Sequence, residues 1–210
     1  MLDLHLSDGE GEAPPVDASA AVPFTPTHYR DEAGEAPPDA PVYHLRVPTD
    51  ALAARHEAHA RAERLAAPKG WHLRQELRAG IAAYVPAEQQ EAALNVLRGH
   101  DAARRDPKSV DSAEAERLDA EAESIEGRIA AVHAPLRDLY SRQSLAAARL
   151  GVLTVRVYVA DWSGLDSACN HHEGLVTLTA LEYVPRRDRK AIEAEINRLA
   201  TLSPAAAKKS

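Results

Sequence analysis

Cysteine is nearly absent: Cys169 stands alone in 210 residues, which excludes an internal disulfide framework and leaves no sign of an oxidising compartment. Large apolar side chains are scarce as well. There is one Phe and one Met, and although 45% of residues are hydrophobic, about one residue in five is Ala, which buries little area. Leu, Val, Ile and Phe together make up about a fifth of the chain, near the level below which sequences stop folding alone. One modest helical core is therefore expected, either with disordered margins or completed by a partner. No window approaches the roughly 18 uninterrupted apolar residues of a membrane span. Before Arg30 there is no Lys or Arg, and no apolar run of the kind a secretion signal carries. The protein is expected to stay in the cytoplasm where it is made.

What is present is unevenly placed. The net charge is -7, and residues 1–50 carry ten acids against Arg30 and Arg46, a balance of -8, so the rest of the chain is close to neutral. The same stretch holds Pro14, Pro15, Pro23, Pro26, Pro37, Pro38 and Pro41. Such a composition buries too little area to offset chain entropy, so residues 1–41 read as an acidic Pro-rich arm, largely disordered, that serves as a solvated linker.

Tyr43, Leu45 and Val47 alternate with His44 and Arg46, the period of a half-buried strand, and Pro48 stops it. Leu2, Leu4 and Leu6 alternate likewise, which leaves room for a two-stranded ribbon on a helical layer. Thr49 caps an expected surface helix from Ala51 to Ala67, ended by Pro68-Lys69-Gly70. Trp71, Leu77, Ile81 and Val85 share a face of the next helix, and Pro86 opens another carrying Val96 and Leu97, so these two form a helical hairpin.

The strongest periodicity follows Asp106-Pro107-Lys108. Asp111 and Glu114 make a capping pair, and Leu118, Ala122, Ile125, Ile129, Val132, Leu136 and Leu139 then recur at steps of four and three. Such a seam has to be buried against another helix, in this chain or in a different one, and Leu118, Ile125, Ile129, Val132, Leu136 and Leu139 are the candidate partner-binding residues. Pro135 should break the helix near Ala131. The run Val152 to Val159 is as β-branched as a strand, yet Leu150, Leu153 and Val157 keep the four-three register, which favours helix. Beyond Trp162-Ser163-Gly164 an irregular loop to Gly174 is expected. A short helix capped by Thr179 and Glu182 comes next, then a last helix with Ile192, Ile196 and Leu199 that stops at Ser203-Pro204. The expected organisation is thus the arm to 41, a helical domain over 42–160, a C-terminal loop with helices over 161–204, and a frayed tail over 205–210. The fold class is mainly α, a small helical bundle.

Reactive chemistry is thinly represented. Asp166, Cys169, His171, His172 and Glu173 include zinc-ligand types, but no second pair of ligands stands at the distance a structural site needs. A Cys169 nucleophile assisted by His171 lacks an orienting group and an oxyanion-stabilising motif. There is no phosphate-binding Gly-rich loop, no His-Glu-x-x-His and no Gly-x-Ser-x-Gly. The basic group Arg186, Arg187, Arg189 and Lys190 is interrupted by Asp188 and reads as a solvated helix start rather than a nucleic-acid surface. No catalytic residue, metal ligand or cofactor is expected, and the chain is expected to bind other protein chains. A small hydrolase or metal-dependent enzyme built on Cys169, His171 and His172 is the reading from a different class.

Two sets of segments carry a resemblance. Trp162-Ser163-Gly164-Leu165-Asp166, Gly174-Leu175-Val176-Thr177, Ala180-Leu181-Glu182, a following helix and Leu202-Ser203-Pro204-Ala205-Ala206-Ala207-Lys208 resemble the C-terminal pattern of tail-assembly chaperones of long-tailed bacteriophages. Phe24-Thr25-Pro26 and Pro41 to Thr49 are similar to the start of such proteins. Lys209 and the pair His171-His172 depart from that pattern. The resemblance implies a helical, non-enzymatic protein of the host cytoplasm. It would coat the long helical tape-measure protein during viral morphogenesis until tail-tube subunits replace it. It also implies a minor longer product, made when ribosomes slip back one nucleotide at Lys208-Lys209. The alternative is a permanent phage structural part in the virion, such as a tail-completion or head-tail connector protein. Self-association is a further option.

Overall fold

The computed structural model describes residues 21–206, with side chains described through Thr201. The strand expected at Leu2, Leu4 and Leu6 lies outside the described residues, as does the end of the tail. The described chain is mainly helical with a small sheet, as expected. Its division differs from expectation. Among the described residues, 21–65 and 149–206 form one unit, and Ala66–Ala148 form a second.

Unit 1 is built on a three-stranded antiparallel sheet in the order β1 (Ala21–Phe24), β2 (Val42–Arg46), β3 (Val159–Ser163). The alternation read in β2 holds: Tyr43 and Leu45 are fully buried while His44 and Arg46 stay half-exposed. Tyr43 pairs with Phe24 on one side and Trp162 on the other, and the register shifts between His44 and Leu45 on the β3 side. The Pro-rich stretch from Ala21 to Pro41 is not a disordered linker. It forms β1 and a 3-10 turn over Thr27–Tyr29, and Pro23 is tolerated because β1 is an edge strand.

Helix α1 (Asp50–Ala62) is capped as expected, with Thr49 Oγ1 accepting from Leu52 N at 3.3 Å. It ends five residues earlier than read, because Arg64 turns left-handed at φ 54° and Leu65 N reaches back to Ala60 O at 2.9 Å. That is a Schellman closure with Leu65 folded into the core. The β-branched run is helical to Tyr158 within α5 (Ala134–Tyr158), and only Val159 turns it into β3. Leu153, Val155, Val157 and Tyr158 are all buried, so this helix end is enclosed on several sides and needs no polar face. A two-residue hairpin pair, β4 (His171–His172) and β5 (Leu175–Val176), orders part of the expected loop. Helix α6 (Leu178–Leu181) starts two residues earlier than read, because Thr177 rather than Thr179 accepts the capping bond, from Ala180 N. Helix α7 (Arg186–Ala206) buries Ile192 and Ile196 and runs through Ser203-Pro204 instead of stopping there.

Unit 2 contains α2 (Gly70–Tyr84), α3 (Ala87–Arg105), α4 (Ser112–Val132) and the first part of α5, closed around Leu77, Ile81, Leu97, Ala122, Ile129 and Leu136. The expected α2–α3 hairpin is present, turning at Val85 and Pro86. Asp111 caps α4 through Glu114 N at 2.8 Å. The break demanded by Pro135 falls at His133, whose ψ of 96° ends α4 before α5 begins. Gly80 lets α2 approach α4 closely: a Cβ there would overlap Ile129 Cγ2 and lie 3.2 Å from His133 Cγ.

Candidate partner-binding surface

The seam residues separate into two kinds. Leu118, Ile129 and Leu136 are core residues of unit 2, at 7%, 4% and 0% exposure, so they are not free to meet a partner while the unit is folded. This corrects their assignment to a binding face. A four-three period reports burial without naming the helix that provides it, and here α2 and α3 do. Ile125 is half-buried, Leu139 is half-buried, and Val132 is 52% exposed.

Those three line two separate grooves of unit 2. One, of 610 Å³, runs between α3 and α4 and is lined by Val85, Ala93, Val96, Ile125 and Val132, with Tyr84 at one end. Tyr84 itself is 55% exposed. The other, of 750 Å³, is lined by Trp71, Pro68, Pro135 and Leu139 and rimmed by Lys69, Glu76, Asp138 and Arg142. Trp71 is 58% exposed, an unusual state for the largest apolar side chain. The sequence placed Trp71 on the buried face of α2. Its position in the first turn of that helix lies beyond the residues that pack on α4.

Two polar networks were not legible in the sequence. In unit 1 the carboxylate of Asp188 is completely buried and accepts from Tyr43 OH at 2.6 Å and Tyr29 OH at 3.2 Å, with His28 Nε2 at 2.8 Å. It sits in the first turn of α7, where the helix dipole favours an anion. Burial, and then the hydrogen bond to Asp188, push the Tyr43 hydroxyl far above the ordinary tyrosine value, and burial and Asp188 raise Tyr29 as well. The available signal was Tyr43 itself, since a buried tyrosine hydroxyl requires a partner. In unit 2, Arg74 donates to Glu126 on α4 and to Asp101 on α3, both at 2.6 Å, and Glu126 accepts from Tyr140 on α5 at 2.8 Å. His100 Nδ1 lies 3.0 Å from Arg74 Nη2, and its Nε2 lies 3.0 Å from Asp119 Oδ1. Four helices thus share one closed set of charges, which favours one register of α2, α3, α4 and α5 over others that would strand Arg74.

The residues with ligand-like chemistry do not converge. Among the described residues no group of three His, Cys, Asp or Glu side chains could hold a metal ion. His171 Nε2 lies 3.3 Å from Val159 O, while His172, its neighbour on a strand, is solvated with its side chain 82% exposed. Burial, reinforced by Asp161, pushes the Cys169 thiol up to about 12, so it stays protonated at neutral pH, unlike an activated nucleophile. Arg186, Arg187 and Lys190 are exposed as expected, whereas Arg189 turns partly inward and its Nε is buried without a partner. Among the described residues no helix is long and apolar enough to cross a membrane.

Of the segments that carry the resemblance, those between Phe24 and Glu182 lie in unit 1, and the last, from Leu202, runs out of the described residues. Tyr43 lies opposite Trp162 across β2 and β3, and Trp162, Leu175, Val176, Ala180 and Leu181 are all core residues. Gly164 and Gly174 take φ of 77° and 69°, and at Gly164 a Cβ would lie 3.0 Å from Pro41 Cα. These residues are therefore needed for the fold of unit 1, whatever it binds. The chain matches no protein-family model, and no curated protein and no solved structure proved similar to it.

Proposed function

We propose that the protein is a tail-assembly chaperone of a long-tailed phage, a temporary escort that shields apolar stretches of the helical tape-measure protein. The observation that carries this reading is the 750 Å³ groove around Trp71 and Leu139, whose apolar residues Pro68, Trp71, Pro135 and Leu139 offer a surface for the apolar face of an amphipathic helix. Tryptophan in a concave apolar site is the commonest anchor of protein interfaces, and a rim holding both signs of charge suits a helix that carries both. The pairing of the two resembling segments in one sheet of unit 1 supports the same reading, since residues far apart in sequence there serve a single structural element. No enzymatic step is part of it.

The test begins with the gene's position, expected between a tail-tube gene and a very long gene for a helical protein. Purified chain should then bind the product of that long gene. Trp71→Ala should weaken binding by about tenfold or more while leaving helical content unchanged, since truncating an interface anchor costs on the order of 2 kcal/mol. Mature particles should lack the protein. Its retention in particles, or a gene beside portal and terminase genes, would favour the connector reading instead.

A further inference from the structure

The second groove has a different occupant. We propose that the α3–α4 groove of unit 2 is closed by the same groove of a second copy of this chain, α4 packing antiparallel on α4 about a two-fold axis. This rests on residues separate from the Trp71 groove and does not depend on the partner proposed above.

The floor is apolar and open to solvent: Val132 and Tyr84 are more than half exposed beside the half-buried Ile125, along a groove of 610 Å³. What selects a second copy is the order of residues along the open stripe of α4, which reads Arg117, Glu121, Ser124, Ile125, Arg128, Val132. An antiparallel pair centred between Ser124 and Ile125 sets Glu121 of each copy against Arg128 of the other. Both contacts are of opposite sign. A parallel pair would set Glu121 against Glu121 and Arg128 against Arg128, a repulsion at each position. The same centre places Val132 over the aliphatic stem of Arg117. Arg128 makes no ion pair among the described residues, and the bond of Glu121 to Arg117 at 2.6 Å is solvated, so exchanging it costs little. At the axis the small side chain of Ser124, facing Ala92 and Ala93 across the groove, allows helix axes to approach to the usual 8–10 Å. A surface that complements itself under a two-fold rotation is what a closed dimer requires, and two α3–α4 hairpins facing each other in this way make a four-helix bundle.

The test uses the full chain in sedimentation equilibrium or light scattering over a concentration series. A dimer is expected. Glu121→Arg alone and Arg128→Glu alone should each weaken it about tenfold or more, because each sets like charges together twice, and the double variant E121R/R128E should restore it. Circular dichroism on each variant confirms that the helices persist. A chain that stays monomeric up to about 0.1 mM, a dimer indifferent to the single swaps, or a double variant that fails to recover would each overturn the proposal. In the last two cases another amphipathic helix would be the occupant of the groove.

Discussion

Ile129 and Val132 stand three residues apart on α4, and the structure gives them opposite fates. Ile129 is 4% exposed among Leu77, Ile81 and Leu136, with α2 pressed against it at Gly80, whereas Val132 is 52% exposed. Ile129→Asp gives up the burial of an isoleucine, about 2–3 kcal/mol, and leaves a cavity. It also forces a carboxyl group into an apolar site with no donor to meet it, which adds about 1–3 kcal/mol even after the group takes up a proton. The total, roughly 3–6 kcal/mol, is comparable with the lower part of the stability expected of the unit Ala66–Ala148, about 4–12 kcal/mol at 0.05–0.15 kcal/mol per residue. Val132→Asp loses little burial, and its one penalty is a negative charge at the C-terminal end of α4, about 0.5–1 kcal/mol. Urea denaturation at a concentration low enough to keep the chain monomeric, followed by far-ultraviolet circular dichroism, should show Ile129→Asp lacking part of its helix before denaturant is added, and Val132→Asp with a midpoint close to that of the parent. If the two variants lose similar stability, or if Ile129→Asp loses less than about 1 kcal/mol, the separation of the seam into core and surface is mistaken.

Three further outcomes follow from other parts of the structure. Asp188→Ala should cost about 3 kcal/mol in thermal denaturation, since it leaves the hydroxyl of Tyr43 buried without its acceptor and takes the partner from the half-buried Tyr29, and Tyr43→Phe, which removes the stranded hydroxyl itself, should cost less. Arg64→Gly should stabilise by about 0.5–1 kcal/mol, because Arg64 sits in the left-handed region at the end of α1, where glycine carries no Cβ penalty; no gain in melting temperature would count against the Schellman closure. Tyr29, Tyr43, Tyr140, Tyr158 and Cys169 all have their deprotonation pushed upward by burial, so the stability they contribute is complete below their ordinary values of 10.0 and 9.0 and is lost as pH rises through the folded-state values. Melting temperature should therefore fall steadily from about pH 9 to pH 11.5, and a flat profile there would show that these groups are solvated.

The local elements were largely legible because their signals are local. Thr49, Asp111 and Pro135 act on neighbours a few residues away, and the four-three register of Leu150, Leu153 and Val157 already favoured helix over strand. The Pro-rich stretch after Ala21 was misread because its order comes from distant residues. Tyr29 and His28 are held by Asp188, 160 residues beyond His28, and composition carries no trace of such a contact. The seam was found but not apportioned: the burial of Leu118, Ile129 and Leu136 depends on where α2 and α3 pack, while the exposure of Val132 depends on where they end. Helical spacing sets Trp71 on one face with Leu77, Ile81 and Val85, but its place in the first turn of α2 puts it beyond the packed region.

The sheet of unit 1 also dictates an order of events during synthesis. Arg46 ends β2 and Val159 begins β3, so the central strand leaves the ribosome more than a hundred residues before its second neighbour exists. Until then Tyr43 and Leu45 have only β1 to cover them, and a two-stranded ribbon is marginal in water. Closing so long a loop as flexible chain costs on the order of 4 kcal/mol in entropy. Unit 2 lies wholly inside that interval, and its helices meet close neighbours in sequence, so it can be complete while β3 is still being made. A folded unit 2 then replaces most of the flexible loop. Substitutions that slow its folding should therefore leave the strands of unit 1 exposed for longer, and the yield of the whole chain should fall even where the final stability is unchanged.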